Sequence, residues 1–236
     1  MLMKKIAILQ SNYIPWIGYF DLIASVDEFI IYDSMQYTKR DWRNRNIIKT
    51  PQGNQWLSVP VHSKGQYFQS IFDTKIDGEK WQIDHWKAIT MNYAKAPFFN
   101  EISMLIEPFY KLHYSHLSEL NKSLILEICN YLDIQTNILD SRDYELEGDK
   151  SEKLLNICIQ SGANSYLSGP SAKEYLDLEI FQNNEIQVEW FNYDNYQPYP
   201  QLWGDFQPGV SILDLLFNCG GSSTNYLLNA SVFNDR

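Results

Sequence analysis

The chain has 236 residues, of which 44% are hydrophobic and 15% aromatic, enough for one domain with a sizeable buried core. Its formal net charge of −10 argues against nonspecific coating of nucleic acid. Apolar runs of at most about six residues exclude a membrane span and a secretory signal. Cys129, Cys158 and Cys219 show no CxxC spacing, so neither a zinc site nor a disulfide framework is indicated. We therefore expect a single domain over residues 1–236 in the reducing cytoplasm.

The first distinctive segment spans residues 6–23. An apolar run at 6–9 predicts a buried parallel strand, and the apolar pattern near its end predicts a helix. Ligands of open α/β sheets bind where such strands end and helices begin. Five amide and aromatic residues here are therefore predicted to bind substrate: Gln10, Asn12, Tyr13, Trp16 and Tyr19. The alternative is an ordinary loop whose aromatic side chains fill the sheet edge.

Sequence motifs narrow the chemistry of this loop. The chain has neither GxGxxG nor GxxxxGK[ST], which excludes the standard dinucleotide and P-loop fingerprints. The spacing P-W-x-G-Y is similar to the HxGH element of adenylylating α/β enzymes, with Trp16 and Tyr19 at the two histidine positions. Those two side chains offer an indole N–H, a hydroxyl and a stacking face in place of imidazoles.

Short apolar runs alternate with segments of helical periodicity along the rest of the chain. Further strands are predicted at 26–33, 135–139, 165–167 and 188–191, and further helices at 149–161, from about 171, and at 211–217. Residues 54–61 and 70–76 alternate in polarity and predict a small β excursion. Residues 78–132 predict a helical insertion of about three helices, the longest from about 109 to 132. The pattern predicts an α/β fold with a mainly parallel, open, Rossmann-like sheet, with nucleotidyltransferase or HUP-like folds as variants.

A basic segment at 39–49 reverses the sign of charge in an acidic chain. It contains Lys39, Arg40, Trp42, Arg43, Asn44, Arg45 and Lys49. Guanidinium groups suit phosphate or carboxylate, and an indole face suits a base or sugar ring. Because the segment follows a predicted strand end, we expect it to bind phosphate at the same sheet edge as the first loop. The alternative is a solvated loop that pairs with surplus acidic residues.

The turn after the predicted strand at 165–167 contributes three further candidates for anion binding. Ser168 stands at the strand end, Gly169 begins a sharp turn, and Ser171 opens the predicted helix. A plain helix cap is the alternative interpretation.

Three ionisable side chains are candidate catalytic proton acceptors. Asp33 follows the second predicted strand, and His85 lies on the aromatic face of a predicted helix. Asp214 lies in an apolar helix, where a buried carboxylate needs compensation from an arginine of the basic segment or from the 168–171 turn. A satisfied core histidine and a structural carboxylate are the alternatives for His85 and Asp214.

Six motifs in chain order resemble the WbqC-like protein family: QSNYIPWIGYFDLI, YDSMQYTKRDWRNRNIIK, WLSVPV, NYAKAPFF, SGPSAKEYL and YPQLWGDF…SILDLLFNCG. Members typically have proline where this chain has Ser11, and an acidic ending where it has GGSSTNYL. The resemblance implies a role with the genes of O-antigen and other surface polysaccharides, attaching glycine or a similar acyl group to an amino sugar. It transfers no catalytic residues.

We therefore expect a transferase that moves an amino-acyl or acyl group to the amine of a nucleotide-linked sugar. Arg40, Arg43 and Arg45 would hold phosphates, and Trp42 or Trp16 would stack on a ring. The donor could be an acyl-adenylate made from ATP and Mg²⁺, an aminoacyl-tRNA, or a thioester on a phosphorylated carrier arm. A nucleotidylyltransferase acting on a sugar phosphate or small alcohol phosphate is one alternative. A non-catalytic sugar-nucleotide or glycan-binding module is the other.

Overall fold

The computed structural model describes residues 3–228, so the ends of the predicted domain, 1–2 and 229–236, lie outside the described residues. The strands are β1 (Lys5–Leu9), β2 (Glu28–Ile31), β3 (Arg45–Thr50), β4 (Gly53–Ser58), β5 (Asn137–Asp140), β6 (Ser165–Ser168) and β7 (Gln187–Trp190). The helices are α1 (Ile17–Ala24), α2 (Lys80–Tyr93), α3 (Phe99–Ile106), α4 (Leu117–Tyr131), α5 (Lys150–Gln160), α6 (Leu178–Asn183) and α7 (Ile212–Cys219).

Five parallel strands form the central sheet in the order β5-β2-β1-β6-β7. This is the order of the first five strands of a Rossmann fold. The strands are added toward one edge from β1 to β5 and toward the other edge from β6 to β7, so the switch point lies between β1 and β6. The predicted α/β class with a parallel sheet is confirmed. The crevice at the carboxyl ends of β1 and β6 is the position where such sheets bind ligands.

Side chains of the sheet alternate between two cores. Ile6, Ile8 and Ile30 belong to one buried cluster with residues of α5 and α6. Ala7 and Phe29 belong to the other cluster, which contains residues of α1, α4 and α7. The short apolar runs of β1 and β2 are buried on both faces because each face carries its own layer of helices.

The structure corrects the predicted β excursion. β3 and β4 form an antiparallel hairpin, so its first strand comes from the basic segment rather than from residues 70–76. Residues 70–76 make only isolated bridges, such as Val61 with Ile76. The prediction missed β3 because Arg45, Asn46 and Lys49 interrupt its apolar pattern.

Two predicted helices also differ from those in the structure. The longest helix of the 78–132 segment begins at Leu117 rather than near residue 109, because Pro108 lies in a separate 3₁₀ turn at Glu107–Tyr110. The helix expected from about residue 171 is a five-residue 3₁₀ segment, Pro170–Glu174, and α6 begins only at Leu178. None of the helices in residues 3–228 has the length and apolar character that a bilayer crossing needs.

Candidate functional site

The loop between β1 and α1 is held in a strained conformation. Ile14 has a φ of 39°, which is rare for a β-branched residue. Asn46 of β3 stabilises this turn by donating from Nδ2 to the carbonyls of Tyr13 at 3.1 Å and of Ile14 at 2.8 Å. The Tyr13 N–H also donates to the Trp42 carbonyl at 3.0 Å. The first loop and the basic segment are therefore fixed to each other, as the predicted shared site requires.

Arg43 of the basic segment lies at the carboxyl end of β1. Its guanidinium donates to the amide oxygens of Gln10 and Asn12, and its side chain is only 15% exposed. Asp41 lies 3.8 Å away, beyond a direct hydrogen bond. The two bonded amide oxygens are neutral, while the carboxylates of Asp41 and Asp33 lie close enough for the Arg43 charge to favour their ionised forms. The fork is thus oriented by amides rather than bound directly to a carboxylate, which suits it to an anionic ligand.

Asp33 lies beneath this loop and is only 2% exposed. Its carboxylate accepts hydrogen bonds from the Ser11 N–H at 2.8 Å, the Ser11 hydroxyl at 2.7 Å and the Ser118 hydroxyl at 2.5 Å. Burial raises the pKa of Asp33, while these hydrogen bonds and the nearby Arg43 charge oppose the increase. Asn121 extends the network by donating to Ser11 Oγ and to the Arg43 carbonyl. These hydrogen bonds fix Ser11 of the first loop and the backbone of Arg43 on the buried side of the site.

A cavity of about 480 Å³ opens at the switch point between β1 and β6. Four tyrosines line it, and we call it the tyrosine cavity: Tyr32, Tyr166, Tyr175 and Tyr193. Gln10, Ser168, Gly169 and Ser171 share this lining, so the structure brings the candidates after β1 and β6 together. Ser168 is buried and donates to the Tyr166 hydroxyl at 3.2 Å, which occupies its own proton.

A second cavity, of about 320 Å³, lies on the α1 side of the same edge. Its lining includes two indoles, and we call it the tryptophan cavity: Asn12, Pro15, Trp16, Trp42, Asn46 and Gly209. The Trp16 ring lies against Gly18, where a Cβ atom would approach it to 2.4 Å. Gly18 thus allows the indole to lie flat on the start of α1. Trp42 is 43% exposed and packs on Trp56, with ring centroids 5.4 Å apart.

The two cavities meet around Arg43. Gln10 lines the tyrosine cavity, Asn12 lines the tryptophan cavity, and the guanidinium binds both side chains. Trp16 and Tyr193 form the wall between the cavities, with ring centroids 5.4 Å apart. One cation therefore lies between two ring-sized, aromatic-lined spaces.

His85 and Tyr13 lie in the core rather than at these cavities. The Tyr13 hydroxyl contacts His85 Nδ1 at 2.9 Å and the Tyr110 hydroxyl at 2.8 Å, beside Trp81. Burial lowers the pKa of His85 to about 4, so the imidazole is neutral near pH 7. Tyr19 is also buried, and its hydroxyl donates to the Gln10 carbonyl at 3.1 Å. These three residues support the site loop from behind.

Asp214 is fully buried in α7 and lines neither cavity. Tyr93 donates to its Oδ2 at 2.8 Å, and Asn218 to its Oδ1 at 3.5 Å. Burial raises the pKa of Asp214, opposed by hydrogen bonds from tyrosines and by the nearby Lys49 charge. The expected compensation by an arginine or by the 168–171 turn is therefore wrong; hydroxyl, amide and lysine groups supply it.

The remaining charged candidates of the basic segment, and Asn44, line neither cavity. Lys39 and Arg40 are exposed, and Arg45 stacks over Trp56 at 4.2 Å from the ring centroid. Asn44 donates to the Val59 carbonyl at 2.8 Å. Charge alone did not distinguish these residues from Arg43.

The structure also places residues at the site that the sequence analysis missed. Ser118 and Asn121 are polar residues on the buried stripe of α4, three positions apart, and that interruption of an apolar face was the available signal. The tyrosines of the cavity gave none, since isolated aromatic residues are ordinary in a core. Tyr193 lies in the irregular segment after β7.

A five-stranded parallel sheet with paired cavities at its switch point defines a Rossmann-like α/β protein. The chain belongs to the WbqC-like protein family, whose profile matches residues 10–226. It is 56% identical over 226 residues to the uncharacterized protein Rv1507c of Mycobacterium tuberculosis. The alignment covers 95% of this chain and 98% of that protein. No solved structure matches the chain.

Proposed function

We propose that this protein is a transferase of bacterial surface-polysaccharide biosynthesis that binds a nucleotide-linked amino sugar and transfers an amino-acyl or acyl group to its amine. The observation that carries the proposal is Arg43, a charged guanidinium held by two neutral amides between two aromatic-lined cavities. A sugar nucleotide has this same order of groups, with a ring at each end and phosphates between them. The resemblance to a polysaccharide-associated family supports the choice of an amino sugar.

In the proposed reaction, the sugar amine attacks the carbonyl carbon of an activated donor. A C–N bond forms, the bond between the carbonyl carbon and the leaving group breaks, and the leaving group departs with that electron pair. The amine proton passes to the leaving group or to solvent. This route fits the site because Asp33, His85 and Asp214 are buried and line neither cavity. Direct attack also needs no covalent acyl-enzyme.

The two alternatives differ in their products. A nucleotidylyltransferase would release pyrophosphate from a nucleoside triphosphate and a sugar phosphate. The buried Tyr19 hydroxyl, bonded to Gln10, does not favour that reaction, because in the similarity to HxGH it would have to reach a phosphate. A binding module would hold the sugar nucleotide without turnover.

The test is an assay for amide formation. The protein is incubated with a UDP- or dTDP-linked amino sugar and one donor at a time: glycine with ATP and Mg²⁺, glycyl-tRNA, or an acyl thioester of coenzyme A. Mass spectrometry should detect the acylated sugar nucleotide with at least one donor. The matched control is the same sugar nucleotide with a hydroxyl replacing the amine, which should give no product. Binding without product from every donor, or pyrophosphate release without an amide, would overturn the proposal.

A further inference from the structure

One of the tyrosines that line the tyrosine cavity has a buried hydroxyl with no hydrogen-bond partner among residues 3–228. Tyr32 lines this cavity and is only 6% exposed, and its hydroxyl oxygen makes no hydrogen bond with any described residue. A buried polar group without a partner destabilises the free protein, and a bound ligand that supplied the missing partner would remove that cost. Burial raises the pKa of Tyr32 to about 12, so the hydroxyl keeps its proton and remains a donor.

The surroundings of Tyr32 suit an uncharged ring with a polar edge. Aliphatic side chains, including Ile8 and Leu154, provide one part of the lining, and three further phenols and Gln10 provide hydrogen-bonding groups. Among the described lining residues only Lys150 is charged. A heteroaromatic base matches this mixture, because its faces are apolar and its edge both donates and accepts hydrogen bonds.

The tryptophan cavity has a different chemistry. Two indoles and two asparagines line it, and none of its described lining residues is charged. Indole faces pack on the C–H faces of a pyranose, while amides can bind its hydroxyls. Trp42 is 43% exposed, so its side of the cavity is the side from which a donor would approach the sugar.

Size and spacing decide which ring belongs where. The tyrosine cavity is the larger, at about 480 Å³ against about 320 Å³, and a nucleoside is larger than a single pyranose. Gln10 and Asn12 are two residues apart, so their Cα atoms are within about 7 Å. That short span, with Arg43 bound to both, suits a diphosphate linking the two rings.

We infer that the tyrosine cavity is the nucleoside subsite, with the Tyr32 hydroxyl bonded to the base, and that the tryptophan cavity is the sugar subsite, with the diphosphate on Arg43. This assignment rests on the proposed function, which it deepens by giving each half of the ligand a place.

Calorimetric titration of separated halves of the ligand tests the assignment. The probes are UMP, dTMP and AMP for the nucleoside half, and glucosamine 1-phosphate for the sugar half. Tyr32→Phe should weaken binding of the best nucleotide by about 3- to 10-fold and leave glucosamine 1-phosphate unchanged. Trp42→Ala should weaken glucosamine 1-phosphate by about 10-fold and leave the nucleotide unchanged. Tyr131→Phe, which removes a hydroxyl bonded to Glu101 outside both cavities, is the control and should change neither.

Melting temperatures separate a ligand-binding hydroxyl from a structural one. Removing an unsatisfied hydroxyl should keep the Tm of Tyr32→Phe unchanged or raise it by about 2–4 °C. A lower Tm with unchanged nucleotide affinity, or a reversed pattern between the two variants, would overturn the assignment. Because amide formation is measured separately, that result leaves the proposed function standing. Absence of binding by every phosphate-bearing probe would overturn both.

Discussion

Two centres in this protein each combine a largely buried cation, neutral oxygen partners and a buried aspartate, but they differ in their surroundings. At the edge of the sheet, Arg43 is held by neutral amide oxygens and lies near the buried carboxylate of Asp33. Beneath the hairpin, Lys49 is held by Gln201 Oε1 at 2.6 Å and by the Asp205 carbonyl, and its charge acts on the buried Asp214. Both cations belong to the same basic segment, six residues apart.

The difference lies in what surrounds each cation. The partners of Arg43 line two cavities, whereas Lys49 is only 4% exposed and links β3 to the segment before α7. A cluster of positive charge in sequence thus contains one group suited to a ligand and one that fastens the chain together. Both cations have neutral oxygen partners. The candidate binding group is therefore distinguished from the structural one by its position next to cavities.

Substitution of Arg43 should have the largest effect on ligand binding. Arg43→Gln removes the charge and the fork while keeping a polar side chain, and should cost about 2–5 kcal/mol of binding free energy for a diphosphate ligand. Titration calorimetry of UDP against the wild type and the variant measures the loss. An affinity that is unchanged, or that is insensitive to salt in the wild type, would contradict the comparison.

Lys49→Met should affect stability instead. The change keeps the aliphatic chain but leaves Asp214 and the Gln201 oxygen without their cation, which should cost about 3 kcal/mol of unfolding free energy. Urea denaturation measures it, and UDP affinity of the folded variant should match that of the wild type. If Lys49→Met weakened UDP binding as strongly as Arg43→Gln, the two centres would not be functionally distinct.

His85 sharpens the comparison because it is a buried titratable group outside both centres. Its folded-state pKa is about 4, below the usual 6.5, so the unfolded chain takes up the proton first as pH falls. Stability due to the neutral imidazole is complete above about pH 6.5, and about 3 kcal/mol should be lost by pH 4. Denaturation curves of the wild type should show this loss, and those of His85→Gln should lack it. If the free energy of unfolding fell equally with pH in both proteins, His85 would be excluded as the cause.

The two aspartates should show a pH dependence of the opposite sign. Burial raises the folded-state pKa of Asp33 and of Asp214, so their contribution to stability is present at low pH and falls as pH rises through that pKa. Asp214→Asn should cost within about 1.5 kcal/mol at pH 4, and its Tm relative to the wild type should rise toward pH 8. Asp33→Asn should follow the same trend and also weaken UDP binding, because Asp33 holds Ser11 beneath the Arg43 loop. A fall in relative Tm with rising pH would show that the pairing outweighs the burial.

The sheet could be predicted from the sequence because its strands are short apolar runs buried on both faces, as at residues 6–8. The first strand of the hairpin could not be predicted, since β3 owes its position to Asn46 and Lys49, polar residues whose partners are distant in sequence. Local hydrophobic patterns predict whether a side chain is buried or exposed. They do not predict the oxygen atoms, distant in sequence, to which a buried cation donates.

Part of the candidate site was accessible to the same reasoning. Gln10, Asn12 and Arg43 were predicted to lie together because strand ends and the basic segment converge at one edge, and the structure shows them hydrogen-bonded. Tyr32 and Tyr193 were missed because an aromatic residue that lines a cavity has the same sequence pattern as one that fills a core. Their binding roles stay predictions.

The backbone ties of the first loop have a consequence for biosynthesis. Ile212 donates its N–H to the Pro15 carbonyl of this loop, and Ser211 donates to the Ile47 carbonyl of the neighbouring β3, both at 2.8 Å. One backbone hydrogen bond of the loop after β1 therefore depends on a residue almost 200 positions later in the chain. On the ribosome, a nascent chain would complete this edge only when α7 emerges, so incomplete chains would carry Arg43, Trp16 and Trp42 without the backbone contacts that fix the two cavities.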